Sequence, residues 1–481
     1  MDKADFSKIL IANRGEIAIR IMRAATELGK RTIAVYAEED KLSLHRFKAD
    51  EAYQIGAGMT PVGAYLSIPE IIRVAKQAGA DAIHPGYGLL SENPDFVEAC
   101  DQAGIVFIGP KAETMRALGD KASARRVAVA AGVPVIPATE VLGDDFDLIK
   151  KHAAEVGYPL MLKASWGGGG RGMRAINGPD DLVEKVLEGR REAQAAFGNG
   201  EGYLEKMILR ARHVEVQILG DKHNAIYHLF ERDCTVQRRN QKVVERAPAP
   251  YLTEAQRQEI CELGRKICAH VNCECAGTVE FLMDIDTSQF YFIEVNPRVQ
   301  VEHTVTEEVT GIDIVQAQIQ IAEGATLAEA TGAASKADVK LRGHAIQCRI
   351  TALAWKDAPE GTKSFAIFIH DPDAKTGGAG FWHWAAIDIP ATTMSMQQGA
   401  GNEGGKLLPA GAKLVASDFG EKSYVGPCPP QGDAPHHYVF TVYALKVAKL
   451  ELPENPTASL TGFMTNANAL GNATLTATYG R

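Results

Sequence analysis

Glu280, Glu294 and Asn296 lie within "GTVEFLMDIDTSQFYFIEVNPR", residues 277–298, where two apolar stretches flank the polar turn "DTSQ". A three-residue loop centred on Thr287 would set Glu280 opposite Glu294, with both carboxylates on one face of a hairpin. Carboxylates that close repel, and each rises in pKa unless a divalent cation lies between them. Oxygen ligands on one face, with an amide oxygen from Asn296, suit Mg²⁺ shared with a nucleotide's phosphates. The competing account is one solvated glutamate beside one salt-bridged glutamate.

Upstream, "LMLKASWGGGGRGMRAI" at 160–176 places Gly167, Gly168, Gly169 and Gly170 between Lys163 and Arg171. A plain surface hairpin would explain such a run. Bare N–H groups beside two cations also suit a loop that folds over phosphate oxygens. No Gly-Lys-Ser/Thr follows and strands flank both sides, which excludes a Walker A loop.

Two further stretches, "ERDCTVQRRNQKVVERAPAP" at 231–250 and "NPRVQVEH" at 296–303, concentrate Arg238, Arg239, Lys242, Arg298, Gln300, Glu302 and His303. Arg238 and Arg239 fit a solvated face. Lys242 and Arg298, beside apolar and proline-bounded residues, fit a pocket for a small anion. Glu302, two residues beyond Gln300 on an extended stretch, shares its face and can serve as a base.

These residues need a scaffold. "KILIAN", "RTIAVYA", "ADAIHPG" and "IVFIGP" read as strands, separated by helical stretches such as "IPEIIRVAKQAG", so the first hundred residues predict a parallel α/β sheet. The first turn, "ANRGEIA", has one glycine and lacks the pattern of a dinucleotide site. Beyond about residue 120, helices alternate with antiparallel strand pairs.

The length of 481 residues predicts several domains, and 46% hydrophobic and 23% charged residues are those of a globular chain. A net charge of −9 argues against a nucleic-acid platform. No stretch approaches a membrane span, and the charged start supplies no secretory apolar core. The eight cysteines lack paired C-x-x-C spacing even at Cys268, Cys273 and Cys275, so reduced thiols and a cytoplasmic location are expected.

"KILIANRGEIAIRIMRA", "ADAIHPGYGLLSEN", "KASWGGGGRGM", "ERDCTVQRRNQKVVERAPAP", "FIEVNPRVQVEHTVTE" and "GHAIQCRI" together resemble the biotin carboxylase domain of biotin-dependent carboxylases. "DKLSLHRFKADEAYQIG" and the tryptophan of "SWGGGG" are most similar to the pyruvate carboxylase branch. The resemblance covers roughly residues 6–351 and implies an ATP-grasp fold. A Rossmann-like pre-ATP-grasp subdomain would occupy 1–120, and a lid with a catalytic subdomain 121–351. It further implies that Lys121, Lys163, Gly167–Gly170, Glu205, Lys206, Ile208, His213 and Gln237 contact ATP. Glu280, Glu294 and Asn296 would hold Mg²⁺ or Mn²⁺. Lys242, Arg298, Gln300 and the Val301 backbone would bind bicarbonate, with Glu302 as base. Arg349 would stabilise the biotin enolate, and N1'-carboxybiotin would form through carboxyphosphate.

After Arg349 the family's remaining residues are missing, no arginine recurs before Arg481, and three of the four tryptophans follow. Residues 352–481 read as short strands broken by Pro and Gly, an antiparallel sandwich-like fragment. They resemble the phosphatidylethanolamine-binding protein family in its Raf-kinase-inhibitor-like branch, without its opening strands. That resemblance implies a small-anion pocket of Asp371, His383 and His436 near the turn 426–430, although His383 between tryptophans equally fits a packed core histidine. Lys375 stands where that family usually has proline. Both halves read as truncated at a join near Thr351, and an artificial or mis-joined fusion is the preferred account. Uncovered edges on each side would cost several kcal/mol against a margin of about 5–15 kcal/mol, so reduced stability or activity of the carboxylase half is expected.

Biotin carboxylation is therefore the expected activity, with biotin free or on a carrier domain of another chain. A homodimer is doubtful because the family's dimer surface is incomplete. The alternatives are an inert carboxylase remnant fused to a small-anion or phospholipid-headgroup module, and another ATP-grasp carboxylate ligase. The latter has no use for "RRNQK" and "NPRVQVEH" together.

Overall fold

Lys8–Ile11 (β1) is a short apolar run whose last three residues are fully buried, which is the pattern of a strand covered on both faces. In the computed structural model, residues 5–479 are described except 120, 165–172, 198, 239–240, 350–352, 397–398, 402–404, 427–428, 431–432 and 434–435. The chain divides into two compact units, Met1–Cys348 and Arg349–Arg481.

In the first unit, β1 joins Arg31–Tyr36 (β2), Glu51–Gln54 (β3), Ala82–His84 (β4) and Val106–Phe107 (β5) in an all-parallel sheet of order β3-β2-β1-β4-β5. β3 is an edge strand of sequence EAYQ with no apolar run, so periodicity alone misses it. The helix Gly15–Glu27 buries Ile17, Ile21 and Ala24, and Gly29 at φ +73° turns the chain into β2. One core joins this helix and β1 to Leu219, Ala276 and the helix Ile314–Ala322.

Leu160–Ala164 (β6), Arg174–Ile176 (β7) and Gly202–Lys206 (β8) form an antiparallel sheet of order β7-β6-β8. Leu160 pairs with Ile176, so the strands read on either side of the glycine run are neighbours.

The third sheet contains Ala211–Gly220 (β9), Ile226–Arg238 (β10), Gln241–Ala247 (β11), Cys275–Asp284 (β12), Phe290–Asn296 (β13) and Ala345–Cys348 (β14). Its order is β13-β12-β9-β10-β11-β14, antiparallel throughout. Val214, Val216, Val279 and Phe281 pack in one core with Ile260 and Ile267 of the helix Glu254–His270. Alternation therefore turns His213, Glu215, Gln217 and Glu280 to the opposite face. That face is the floor of the site.

Glu280 does pair with Glu294, but not through a three-residue loop. The turn between the strands spans 285–289, with Met283 opposite Phe290, and a bulge between Glu280 and Phe281 resets the register by one residue. The extra turn residues are held by the Asp284 N–H donating to the Gln289 carbonyl at 2.9 Å and by Ser288 at φ +60°. The bulge re-aims the glutamate pair, as bulges beside functional sites often do.

In the second unit, Leu353–Ala354 (β15) pairs with Ser395–Met396 (β18). Ser364–Asp371 (β16), Phe381–Pro390 (β17), Lys413–Val415 (β19), His436–Leu445 (β20) and Ala469–Tyr479 (β21) form an antiparallel sheet of order β19-β17-β16-β20-β21. A helix, Ala458–Asn468, adds to the strands read from the sequence. Thr457 starts it by accepting the Leu460 N–H at 3.1 Å. Among the described residues, no helix is long and apolar enough to cross a membrane.

Candidate active site

β9 lies between β12 and β10, and Glu215 is the direct cross-strand partner of Glu280. On β11, Lys242 opposes Gln237 of β10 and extends over the same face. Its Nζ lies 2.5 Å from Glu215 Oε2, 2.7 Å from Glu280 Oε1 and 2.7 Å from Glu302 Oε1. His213 Nε2 is 2.8 Å from Glu280 Oε2. Burial opposes a charge on Lys242, but the three carboxylates outweigh it and hold the ammonium above its ordinary pKa. Burial likewise opposes ionisation of Glu280 and Glu215, and neighbouring cations reverse the outcome, keeping both carboxyls below the usual range. His213 is raised for the same reason, its contact with Glu280 overcoming burial.

A second cation closes the cluster from below. Arg232 on β10 is fully buried and donates to Glu215 Oε1 at 2.6 Å, Gln217 Oε1 at 2.7 Å and Thr306 Oγ1 at 2.9 Å. It also reaches Gln300 Oε1 at 3.0 Å and Thr278 Oγ1 at 3.2 Å. Gln300 and Asn296 both donate to Glu280 Oε1, at 3.0 and 2.9 Å. Arg298 donates to Asn296 Oδ1 at 2.9 Å and pairs with Glu92 at 3.2 Å. The Val301 carbonyl accepts from Gln347 at 3.3 Å. Glu302 is the N-cap of the helix His303–Thr310, which carries Thr306.

The structure thus brings Lys242, Glu280, Asn296, Arg298, Gln300, Glu302 and His213 into one network. The expected nucleotide residues are more dispersed. Lys121 starts the helix Lys121–Ala130, and its ammonium is 3.7 Å from Glu294. Lys163 on β6 pairs with Glu205 on β8. Lys206 is turned to the backbone, donating to the carbonyls of Gly157 at 2.9 Å and Tyr158 at 2.7 Å. Ile208 is half-buried just past β8, and Gln237 donates to the Cys234 carbonyl at 3.0 Å. Gly167–Gly170 and Arg239 lie outside the described residues. Arg349 follows β14 as the first residue of the second unit.

Glu280 and Glu294 fit an oxygen-ligated divalent cation. The bulge leaves them paired across the strands, Glu280 is held ionised, and the Glu294 side chain keeps 34% exposure with the Lys121 ammonium 3.7 Å away. Asn296 fits less directly, since its amide oxygen is taken by Arg298.

Sequence reasoning missed Glu215 and Arg232. The signal for Glu215 was present in "HVEVQIL", where His213, Glu215 and Gln217 alternate with Val214, Val216 and Ile218. Polar residues at every second position of a strand that is apolar on its other face mark a polar interior.

In the second unit, Asp371 and His436 meet at 2.7 Å and both are buried. The hydrogen bond to Asp371 raises His436. His383 donates from Nδ1 to the Val425 carbonyl at 3.0 Å and packs against Phe381, Phe419 and Tyr438. Burial lowers its pKa, the behaviour of a packed core histidine.

Comparison with known proteins agrees with this architecture. Residues 5–115 match the family model "Biotin carboxylase, N-terminal domain", and residues 120–330 match "Carbamoyl-phosphate synthase L chain, ATP binding domain". Residues 317–480 match "Phosphatidylethanolamine-binding protein", a span that begins within the first unit. Pyruvate carboxylase 1 of Caenorhabditis elegans is 53% identical over 347 residues, 72% of this chain and 29% of that protein. Pyruvate carboxylase of Bacillus subtilis is 51% identical over 352 residues, 73% of this chain and 30% of that protein. The chain therefore spans less than a third of these relatives. A biotin carboxylase complex from Campylobacter jejuni superposes with a TM-score of 0.66 at 45% identity, covering 76% of this chain and 79% of that one. The biotin carboxylase subunit of a pyruvate carboxylase gives 0.62 at 42% identity, covering 82% and 84%. Through its first unit, the chain belongs to the biotin carboxylase family.

Proposed function

We propose that the first unit carboxylates biotin at N1' with ATP and bicarbonate, the first half-reaction of a pyruvate carboxylase. The observation that carries this reading is Lys242, one ammonium shared by the metal-side carboxylate Glu280 and the candidate base Glu302, each at 2.7 Å. A group so placed can face bicarbonate on one side and the transferring phosphoryl on the other.

Lys242, Arg298, the Gln300 amide and the Val301 backbone would receive bicarbonate. Glu302 takes its proton as its oxygen attacks the γ-phosphorus, and the bond to the β-phosphate oxygen breaks, releasing ADP. Glu280 and Glu294 would hold Mg²⁺ or Mn²⁺, which when bound offsets charge on the phosphates. Lys121, Lys163, His213, Gln237, the stretch Glu205–Ile208 and Gly167–Gly170 would bind the nucleotide. Carboxyphosphate then gives CO₂ and phosphate. The phosphate accepts the N1' proton, N1' attacks CO₂, and Arg349 stabilises the enolate. Biotin would arrive free or on a carrier domain, in the cytoplasm. Domain bounds of 1–120, 121–351 and 352–481 fit this division of labour.

For the second unit, the buried Asp371–His436 pair favours a Raf-kinase-inhibitor-like module for a small anion or phospholipid headgroup. The first reading is tested by ADP release from Mg·ATP with and without bicarbonate and free biotin. Stimulation by both that vanishes in Lys242→Ala and Glu302→Ala supports it. Absence of stimulation despite nucleotide binding would leave the second unit's pocket as the remaining candidate.

A further inference from the structure

We propose that Arg232 is the positioning residue that presets the bicarbonate pocket, an inference that rests on the biotin carboxylase reading above. Arg232 is 0% exposed, and each of its three nitrogens is engaged, Nε with Glu215, Nη1 with Gln217 and Thr306, and Nη2 with Thr278 and Gln300. A guanidinium has five N–H groups and no acceptor, so these five bonds use its whole capacity.

That saturation fixes three groups at once. Gln300 must turn its amide oxygen to Arg232, which sends its NH₂ to Glu280 and the open side of the cluster. Glu215 must give Oε1 to Arg232, which leaves Oε2 for Lys242. Thr306 lies one turn beyond Glu302 on the same helix, so its bond to Arg232 holds the helix that presents the base. Arg232 therefore acts on the amide donor, the ammonium and the base, each through a direct bond or one intermediate. None of its hydrogen bonds goes directly to a residue assigned to the nucleotide or metal, and its shortest link to the metal-side carboxylate Glu280 runs through the Gln300 amide.

A lysine at this position would keep the charge and lose the fork. Its three donors on a flexible stem cannot hold five acceptors on two strands, a loop and a helix. The Gln300 amide would then be free to rotate, and its NH₂ would no longer be directed to the pocket. The consequence is specific to bicarbonate, whereas a structural fault lowers the folded fraction and hence the rate at every substrate concentration.

The test measures ADP release in the full chain while varying bicarbonate and ATP separately, for wild type, Arg232→Lys and Thr306→Val. Arg232→Lys is expected to raise the bicarbonate KM by about tenfold or more, the scale of one lost charge-assisted hydrogen bond, and to leave the ATP KM within about twofold. Should Arg232→Lys fail to fold, Thr306→Val decides, because it removes one acceptor and is expected to raise the bicarbonate KM about threefold. An unchanged bicarbonate KM in the folded variants, with a rate lowered only in proportion to folded protein, overturns the inference alone. A wild-type chain without bicarbonate stimulation overturns both the functional reading and this inference.

Discussion

Lys242 Nζ lies 2.7 Å from Glu302 Oε1, so the candidate base and the main cation of the pocket are one ion pair. Glu215 and Glu280 share the same ammonium, and all three carboxylates are buried. Replacing Lys242 by Ala leaves this set short of one positive charge and is expected to destabilise the first unit by ~3–5 kcal/mol, the cost of breaking a buried pair. Lys242→Arg should recover most of that stability. Urea midpoints for the two variants check it, and an alanine variant as stable as wild type would show that water already screens the cluster.

Glu302→Gln behaves differently. The amide oxygen still accepts from Lys242, so folding is largely spared, while the base proposed to deprotonate bicarbonate is lost. The bicarbonate-dependent rate should fall by ~10²–10⁴-fold at nearly constant melting temperature. Parallel calorimetry and ADP-release assays separate the two effects.

The pair Glu280 and Glu294 should divide in the same manner. Glu294 is partly exposed with Lys121 at 3.7 Å, and Glu294→Gln is expected to weaken the Mg²⁺ dependence of ADP release with a stability change of less than ~1 kcal/mol. Glu280→Gln keeps one oxygen acceptor but loses the charge and turns the other oxygen into an NH₂ donor, so the contacts with Lys242, Asn296 and Gln300 at Oε1 and with His213 at Oε2 cannot all survive, and stability should fall as well. A metal titration of each variant, alongside its urea midpoint, checks the contrast.

Legibility of this site tracked the reach of local pattern. The glutamate pair, Lys242, Arg298, Gln300 and Glu302 sit in short motifs whose residue types state their chemistry. Arg232 does not, because its importance depends on acceptors contributed by Glu215, Thr278, Gln300 and Thr306, brought together only by strand pairing and one helix. The fold divides similarly. Parallel strands with apolar runs are visible in the sequence, while β3 is not, and the bulge at Glu280 arises from a turn longer than the hairpin pattern implied.

The cluster also fixes a pH signature. Glu215 and Glu280 have pKa values below their unfolded value of about 4.3, so their stabilisation is present above that pH and is lost as pH falls through the depressed folded values. His213 is raised above its unfolded value of about 6.5, so its contribution is complete below that pH and disappears as pH rises through the folded pKa. The stability difference between wild type and His213→Gln should therefore be largest in mild acid and shrink in alkali. Urea titrations from pH 5 to pH 9 give the profile, and a difference that grows with pH would contradict the assigned protonation.

The core that joins the helix Gly15–Glu27 to Leu219, Ala276 and the helix Ile314–Ala322 bears on how the chain opens. Arg20 reinforces that junction by reaching Glu307 at 2.9 Å and Asp313 at 2.7 Å. The amides of β1 and of the helix Ile314–Ala322, some 300 residues apart in sequence, should then exchange their hydrogens in one cooperative event with a common free energy. Cut away from the rest, the parallel sheet would present Ile17, Ile21 and their neighbours to water, and it would melt earlier than the whole unit does.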